Sequence, residues 1–249
     1  MKILLTNDDG IYAPGIKALY KELHKKHDLN VVAPDIEKSA VGHGLTILSP
    51  LRIKKINLVD NLIGYAVSGN PADCVKLAIK ELNIKPDIAV SGINRGSNMS
   101  IDINYSGTVA AAKEAALFGI PAIAVSIVMG RNMDYEGCAE FIEKYISKFL
   151  EIKIPFGTLL NINIPSGPFT NNKGIKITRQ EVVHSNDSFD KRKDTFNRDY
   201  YWYSRRSETQ IIHNDTDIAA LKENYISVTP VKCDMTDYSL LEMLKAKIS

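Results

Sequence analysis

The stretch Lys2-Ile3-Leu4-Leu5-Thr6-Asn7-Asp8-Asp9-Gly10-Ile11-Tyr12-Ala13-Pro14-Gly15 decides the fold. Lys2–Thr6 is a short apolar run with the length of a buried strand, and Asn7-Asp8-Asp9-Gly10 is the punctuation that follows one. Pro14 suits the first turn of a helix, and Ile16, Leu19, Tyr20 and Leu23 follow at i, i+3, i+4, i+7 spacing. Working outward, the alternation continues. Residues 30–33 and 87–91 read as buried strands, 122–127 and 159–164 as two more. Residues 45–68 read as extended segments with a turn near Asp60-Asn61. Helices are expected from Pro71 (Asn70 as N-cap, Asp73 in the first turn), over 108–118 and over 135–150. Strand–helix alternation of this kind implies a largely parallel sheet covered on both faces. The expected fold class is α/β: a three-layer, Rossmann-like sheet, with a C-terminal extended arm and terminal helix.

After Pro165 the texture changes, so residues 1–165 are expected to form the catalytic core and 166–249 an oligomerisation arm with a returning helix and strand. Residues 184–208 mix Phe189, Phe196, Tyr200, Tyr201, Trp202 and Tyr203 with charges, a mixture found on nucleic-acid surfaces. Six basic residues face five acidic ones there, whereas a polyanion site should be lopsided. An arm that packs on another subunit is the favoured reading. Residues 237–247 form an amphipathic terminal helix.

The 249 residues carry 31 basic and 29 acidic side chains, a net charge of +2, so no strong field points to nucleic acid or membrane. No apolar run approaches the roughly 20 residues of a membrane span. The N-terminal residues turn acidic too soon for a signal peptide. Cys74, Cys138 and Cys233 are far apart and lack metal-ligand spacing, which fits free thiols and a cytoplasmic location.

In an open parallel sheet, ligands bind beyond the carboxyl ends of the strands. Three polar loops emerge there, over residues 7–12, 34–44 and 92–108. Adjacent Asp8 and Asp9 are costly side by side unless a cation or water intervenes. The oxygen-only surroundings point to a hard ion, Mg²⁺ or Mn²⁺; a solvated Asp-Gly turn is the plainer alternative. Ser106-Gly107-Thr108 opens a helix of small residues, where exposed N–H groups and the helix dipole favour an anion, although a simple N-cap reads the same way. Metal acids and an anion-ready helix at one sheet edge are what metal-assisted phosphoryl transfer needs. A receiver domain would also place acids after the first strand, but the strand ending Val90-Ser91-Gly92 lacks its acceptor Asp. A dinucleotide-binding reading fails because the first turn has no G-x-G-x-x-G.

The chain resembles the SurE family, of stationary-phase survival proteins and 5′/3′-nucleotidases. The resemblance rests on Leu5-Thr6-Asn7-Asp8-Asp9-Gly10, Ala33-Pro34-Asp35 with Ser39, and Val67-Ser68-Gly69 with Pro71 and Asp73. It continues through Ser91-Gly92-Ile93-Asn94, Gly96 and Asn98, Tyr105-Ser106-Gly107-Thr108 with the small residues after it, and Ser227-Val228-Thr229-Pro230. It implies that Asp8, Asp9, Ser39 and Asn94 ligate one divalent cation, and that Asn98, Ser106, Gly107 and Thr108 hold a substrate phosphate. It further implies hydrolysis of nucleoside 5′- and 3′-monophosphates, with short polyphosphate as a further candidate substrate, and a homodimer or homotetramer. No membrane or stable nucleic-acid partner is expected. Asp8 and Asp9 are the expected catalytic acids. His43, on a site loop, is a candidate acid for the leaving alcohol, although a lone loop histidine is more often a surface residue; His184 and His213 carry less argument. Ser100 stands where the family usually has glycine.

Overall fold

The computed structural model describes residues 1–59, 62–183, 187–205 and 213–248. Through them the chain runs β1 (Lys2–Thr6), α1 (Pro14–Leu23), β2 (Asp28–Pro34), β3 (Ile53–Asn57), β4 (Ile63–Val67), α2 (Pro71–Lys80), β5 (Ile88–Arg95) and α3 (Gly107–Leu117). It continues β6 (Ala122–Ile127), α4 (Tyr135–Glu151), β7 (Thr158–Ile164), β8 (Ile175–Ile177), β9 (Asp187–Lys193), β10 (Asp199–Arg205), α5 (Asp217–Lys222), β11 (Ile226–Lys232) and α6 (Tyr238–Ile248).

A nine-stranded sheet has the order β3-β4-β2-β1-β5-β6-β7-β11-β8. The six strands from β4 to β7 are mutually parallel, and β3 and β11 pair antiparallel at either side of that block. Side-chain alternation along β1 sets the layers. Ile3 and Leu5 pack with α1 and α4 on one face, and Leu4 packs with α2 and α3 on the other. Each fully buried Leu or Ile contributes roughly 1.5–3 kcal/mol, so this doubly covered apolar strand anchors both cores. Helix α1 starts at Pro14 and buries Ile16, Leu19, Tyr20 and Leu23, the face expected from their spacing. Helix α3 is buried along most of its length, because its alanines let it lie close to the sheet.

The chain moves from β1 outward through β2 to β4, then returns to β5 on the other side of β1 and proceeds through β6 to β7. The order therefore reverses between β1 and β5, where the carboxyl ends of two strands diverge and leave a crevice.

Strand β5 is longer than the apolar run 87–91 suggests. It shifts register between Ser91 and Asn94 and resumes pairing with β6 through Arg95. Gly92 makes this bulge, with φ of 138°; a Cβ there would lie 2.3 Å from the Val125 carbonyl oxygen. Gly92 reads as a strand breaker in isolation, whereas here it is a bulge that re-aims the strand end.

Beyond residue 165, β8 and β11 extend the same sheet, while β9 and β10 pair as a separate hairpin within the stretch expected to form an arm. Helix α6 buries none of its residues. The turn expected near Asp60-Asn61 lies outside the described residues, but β3 and β4 on either side of it pair antiparallel. All three cysteines are free, with Cys74 and Cys138 buried. No helix among the described residues is long and apolar enough to cross a membrane.

A candidate metal and phosphate site at the sheet switch point

At the reversal between β1 and β5 lies a cleft of about 520 Å³. Asp8, Ser39, Asn94, Asn98 and Ser106 line it, together with Arg95, Tyr105, Asp187 and Tyr203. The three loops expected to converge thus meet in one crevice.

Asp8 stands two residues beyond the end of β1 and is buried, and its Oδ1 accepts a 2.5 Å hydrogen bond from the Thr108 hydroxyl. The amino end of α3 is pressed against the same side chain. A Cβ on Gly107 would stand 2.8 Å from Asp8 Cβ, so this helix start approaches Asp8 only with glycine there. Ser106 is the N-cap, its hydroxyl oxygen accepting from the Val109 N–H at 3.0 Å. The hydroxyl of Thr108, one of the residues expected at the phosphate, donates to Asp8.

Asp9 turns to the end of β5, where its Oδ2 accepts from the Arg95 N–H at 3.0 Å. Asn94, delivered by the bulge, donates its amide N–H to the Gly96 carbonyl at 2.7 Å, which leaves its side-chain oxygen as the atom offered to a ligand. Ser39 is exposed and donates to Glu37 at 2.5 Å.

Burial pushes the Asp8 carboxyl up to about 6; the Thr108 hydrogen bond works against that shift and the Asp9 charge adds to it. Asp9 is also raised, first by burial and further by the Glu37 charge, with the Arg95 N–H opposing. Two neighbouring carboxylates, both strained toward the neutral form, are the electrostatic signature of a place that a cation would relieve. Among the described residues, no group of three or more His, Cys, Asp and Glu is placed to hold a metal ion by itself. A cation between Asp8 and Asp9 would therefore complete its shell from neutral oxygens, and Ser39 and Asn94 supply that type. The all-oxygen set suits Mg²⁺ or Mn²⁺.

Asn98 is held on three sides. Its N–H donates to Asn163 Oδ1 at 2.7 Å, its carbonyl accepts from Asn161 and Asn163 at 2.7 and 3.0 Å, and its side-chain amide donates to Ser126 Oγ at 2.8 Å. Sequence reading passes over this buried polar cluster. Its signal is two asparagines two residues apart in the apolar run Thr158–Ile164, hence on one face of β7.

His43 does not line the cleft. Its Nε2 lies 2.9 Å from Glu114, which also meets Lys76 at 2.6 Å. His213 is 3.2 Å from Glu181, and His184 lies outside the described residues. The cleft-lining Arg95, Tyr105, Asp187 and Tyr203 were not expected from sequence. Tyr203 and Asp187 come from facing ends of the β9–β10 hairpin, the Tyr203 hydroxyl donating to Asp187 at 2.6 Å.

Residues 3–187 match the model of the family described as "Survival protein SurE". The chain is 47% identical over 248 residues to a "5'-nucleotidase SurE" of Desulfatibacillum aliphaticivorans, covering 98% of this chain and 97% of that protein. It is 49% identical over 253 residues to the protein of the same name in Carboxydothermus hydrogenoformans, covering 98% and 95%. Among solved structures, the SurE protein from Aquifex aeolicus superposes with a TM-score of 0.85 at 38% identity, covering 99% of both chains. The family match, the identities over nearly the whole chain and the shared fold agree: the chain belongs to the SurE survival-protein family.

Proposed function

We propose that this protein is a divalent-metal-dependent 5′/3′-nucleotidase, hydrolysing nucleoside monophosphates to nucleoside and phosphate. The observation that carries the reading is the contact of α3 with Asp8, which puts the buried acid and a helix amino end in one crevice. The relatives named 5'-nucleotidase SurE support the same reaction class.

Asp8, Asp9, Ser39 and Asn94 would hold one Mg²⁺ or Mn²⁺, which when bound supplies positive charge to phosphoryl oxygens and acidifies water. The chain's own groups do the rest. The first N–H groups of α3 lack intrahelical partners and, with the Ser106 hydroxyl, stabilise charge on the phosphoryl oxygens. Asn98 is anchored on both its N–H and its carbonyl, which keeps its side chain at a fixed place in the cleft. One of Asp8 and Asp9 accepts the proton of the attacking water. Tyr105 and Tyr203, on the cleft wall, offer aromatic faces to a nucleoside.

Phosphate release from nucleoside 5′- and 3′-monophosphates, with chelator or with added Mg²⁺ or Mn²⁺, tests this reading. Metal-dependent release supports it; a folded protein that binds nucleotides without turning them over would instead be a nucleotide-binding protein. Short polyphosphate belongs in the same panel.

Self-association is proposed for the residues beyond 165. Helix α6 buries nothing within the chain, and Phe189, Phe196 and Trp202 of the hairpin are exposed. A second copy of this chain is the occupant that fits, and a monomer at micromolar concentration by sedimentation would contradict it.

A further inference from the structure

Two residues beyond Asn98, Ser100 adopts a left-handed backbone with φ of 54°. That conformation is costly for any residue with a Cβ and persists only where the surroundings enforce it. Its own side chain does not: Ser100 Oγ is buried with no hydrogen-bond partner among the described residues. The restraint comes from residues far along the chain. The Ser100 N–H donates to Asp217 Oδ2 at 2.8 Å, and the Ser100 carbonyl accepts from Gln180 Nε2 at 2.7 Å.

Asp217 is fully buried at the start of α5, and its other oxygen, Oδ1, accepts from the N–H groups of Glu181 and Ile218 at 3.1 and 2.9 Å. One carboxylate therefore fastens three segments, and only one of its oxygens reaches the cleft loop. The loop between Asn98 and α3 is thus gripped twice near its start. The asparagines of β7 hold Asn98, and Asp217 with Gln180 holds Ser100, where the one-turn helix leading to Ser106 begins.

We infer that Asp217 is a positioning residue for the phosphate loop, holding Ser100 in its left-handed turn so that Asn98 and Ser106 face a bound phosphate together. The inference rests on the reading of that loop as the phosphate cradle. It gives the residues beyond 165 a part in the site apart from assembly.

The two carboxylate oxygens allow a selective test. In Asp217→Asn the single amide oxygen keeps two hydrogen bonds by staying at the Oδ1 position, which turns the NH₂ group against the Ser100 N–H. The grip on the loop is lost while α5 and residue 181 keep theirs. Glycine adopts positive φ freely, and Ser100→Gly sacrifices no hydrogen bond, so it should relieve the loop of its need for Asp217.

The full-length wild type, Asp217→Asn, Ser100→Gly and the double variant are compared by calorimetric titration with inorganic phosphate and with Mn²⁺, by KM and kcat for a nucleoside 5′-monophosphate, and by thermal melting. Asp217→Asn is expected to weaken phosphate binding and raise KM about tenfold, the scale typical of partners that orient a site's own ligands. Mn²⁺ affinity should stay within about twofold, and the double variant should recover most of the loss. Unchanged phosphate affinity in Asp217→Asn overturns the inference. So does a loss that extends equally to Mn²⁺ or that Ser100→Gly leaves in place, since either marks a purely structural role. Wild-type protein that binds phosphate but shows no turnover counts against the proposed hydrolysis alone, and the titrations still decide the role of Asp217. Wild type that binds no phosphate overturns the inference.

Discussion

The Thr108 hydroxyl donates a hydrogen bond to the Asp8 carboxylate across 100 positions of sequence. This contact joins the acid at the end of β1 to the first turn of α3, so the groups proposed for cation and phosphate cannot move independently. Thr108→Val removes the donor at nearly constant volume. It should raise the Mn²⁺ concentration needed for half-maximal phosphate release by about 10- to 100-fold, while Thr108→Ser stays close to wild type. A metal titration of activity checks this.

Gly107→Ala sets two effects against each other. Alanine is favoured over glycine in a helix by about 1 kcal/mol. Here, however, its Cβ would stand 2.8 Å from Asp8 Cβ and 3.1 Å from Pro71 Cγ. Overpacking of that kind costs about 1–3 kcal/mol, so the net change should be destabilising and should displace Asp8. Thermal melting and activity should fall together; a more stable and fully active variant would mean that the helix start tolerates a side chain.

Asn163 accepts from the Asn98 N–H and donates to its carbonyl. Asn163→Ala strands both groups in a buried place, at a cost of about 1–3 kcal/mol by urea denaturation. The accompanying rise in KM for nucleotide should exceed any change in Mn²⁺ affinity.

Glu114 couples the loop bearing His43 to α2 and α3. Burial pushes its carboxyl up, but the hydrogen bonds from His43 and Lys76 outweigh burial and hold it below the ordinary 4.5. Because folding lowers this pKa, the stabilisation is fully present above 4.5 and is lost as pH falls through the folded value. His43 and Lys76 are each partly exposed, which keeps the effect small. Glu114→Gln should be less stable by about 1 kcal/mol near neutral pH, and the difference should shrink toward zero well below the ordinary glutamate value. Urea denaturation across pH gives both figures.

Much of the core was legible because it rests on local periodicity. The apolar run Lys2–Thr6 and the spacing of Ile16, Leu19, Tyr20 and Leu23 specify β1 and α1 at the observed bounds. Asp8, Ser39 and Asn98 on loops, and Asn94 at the end of β5, are brought by strand–helix alternation to one edge, so their meeting in the cleft follows from topology. What escaped rests on distant contacts. Asn161 and Asn163 matter through Asn98, more than 60 positions away, and Asp217 through Ser100, at 117 positions. Strand β8 is only three residues long, and β9 carries too many exposed charges to show a buried face. The extension of β5 hides behind Gly92, whose function as a bulge depends on the neighbouring Val125 carbonyl.

The most direct test of the central claim is phosphate release from a nucleoside 5′-monophosphate as Mn²⁺ is titrated into wild type and Asp8→Asn. The expected result is release that rises with Mn²⁺ and vanishes with chelator in wild type, and no release at any Mn²⁺ concentration from a folded Asp8→Asn variant. Chelator-resistant turnover in wild type, or wild-type turnover in Asp8→Asn, would contradict a cation-dependent reaction centred on Asp8.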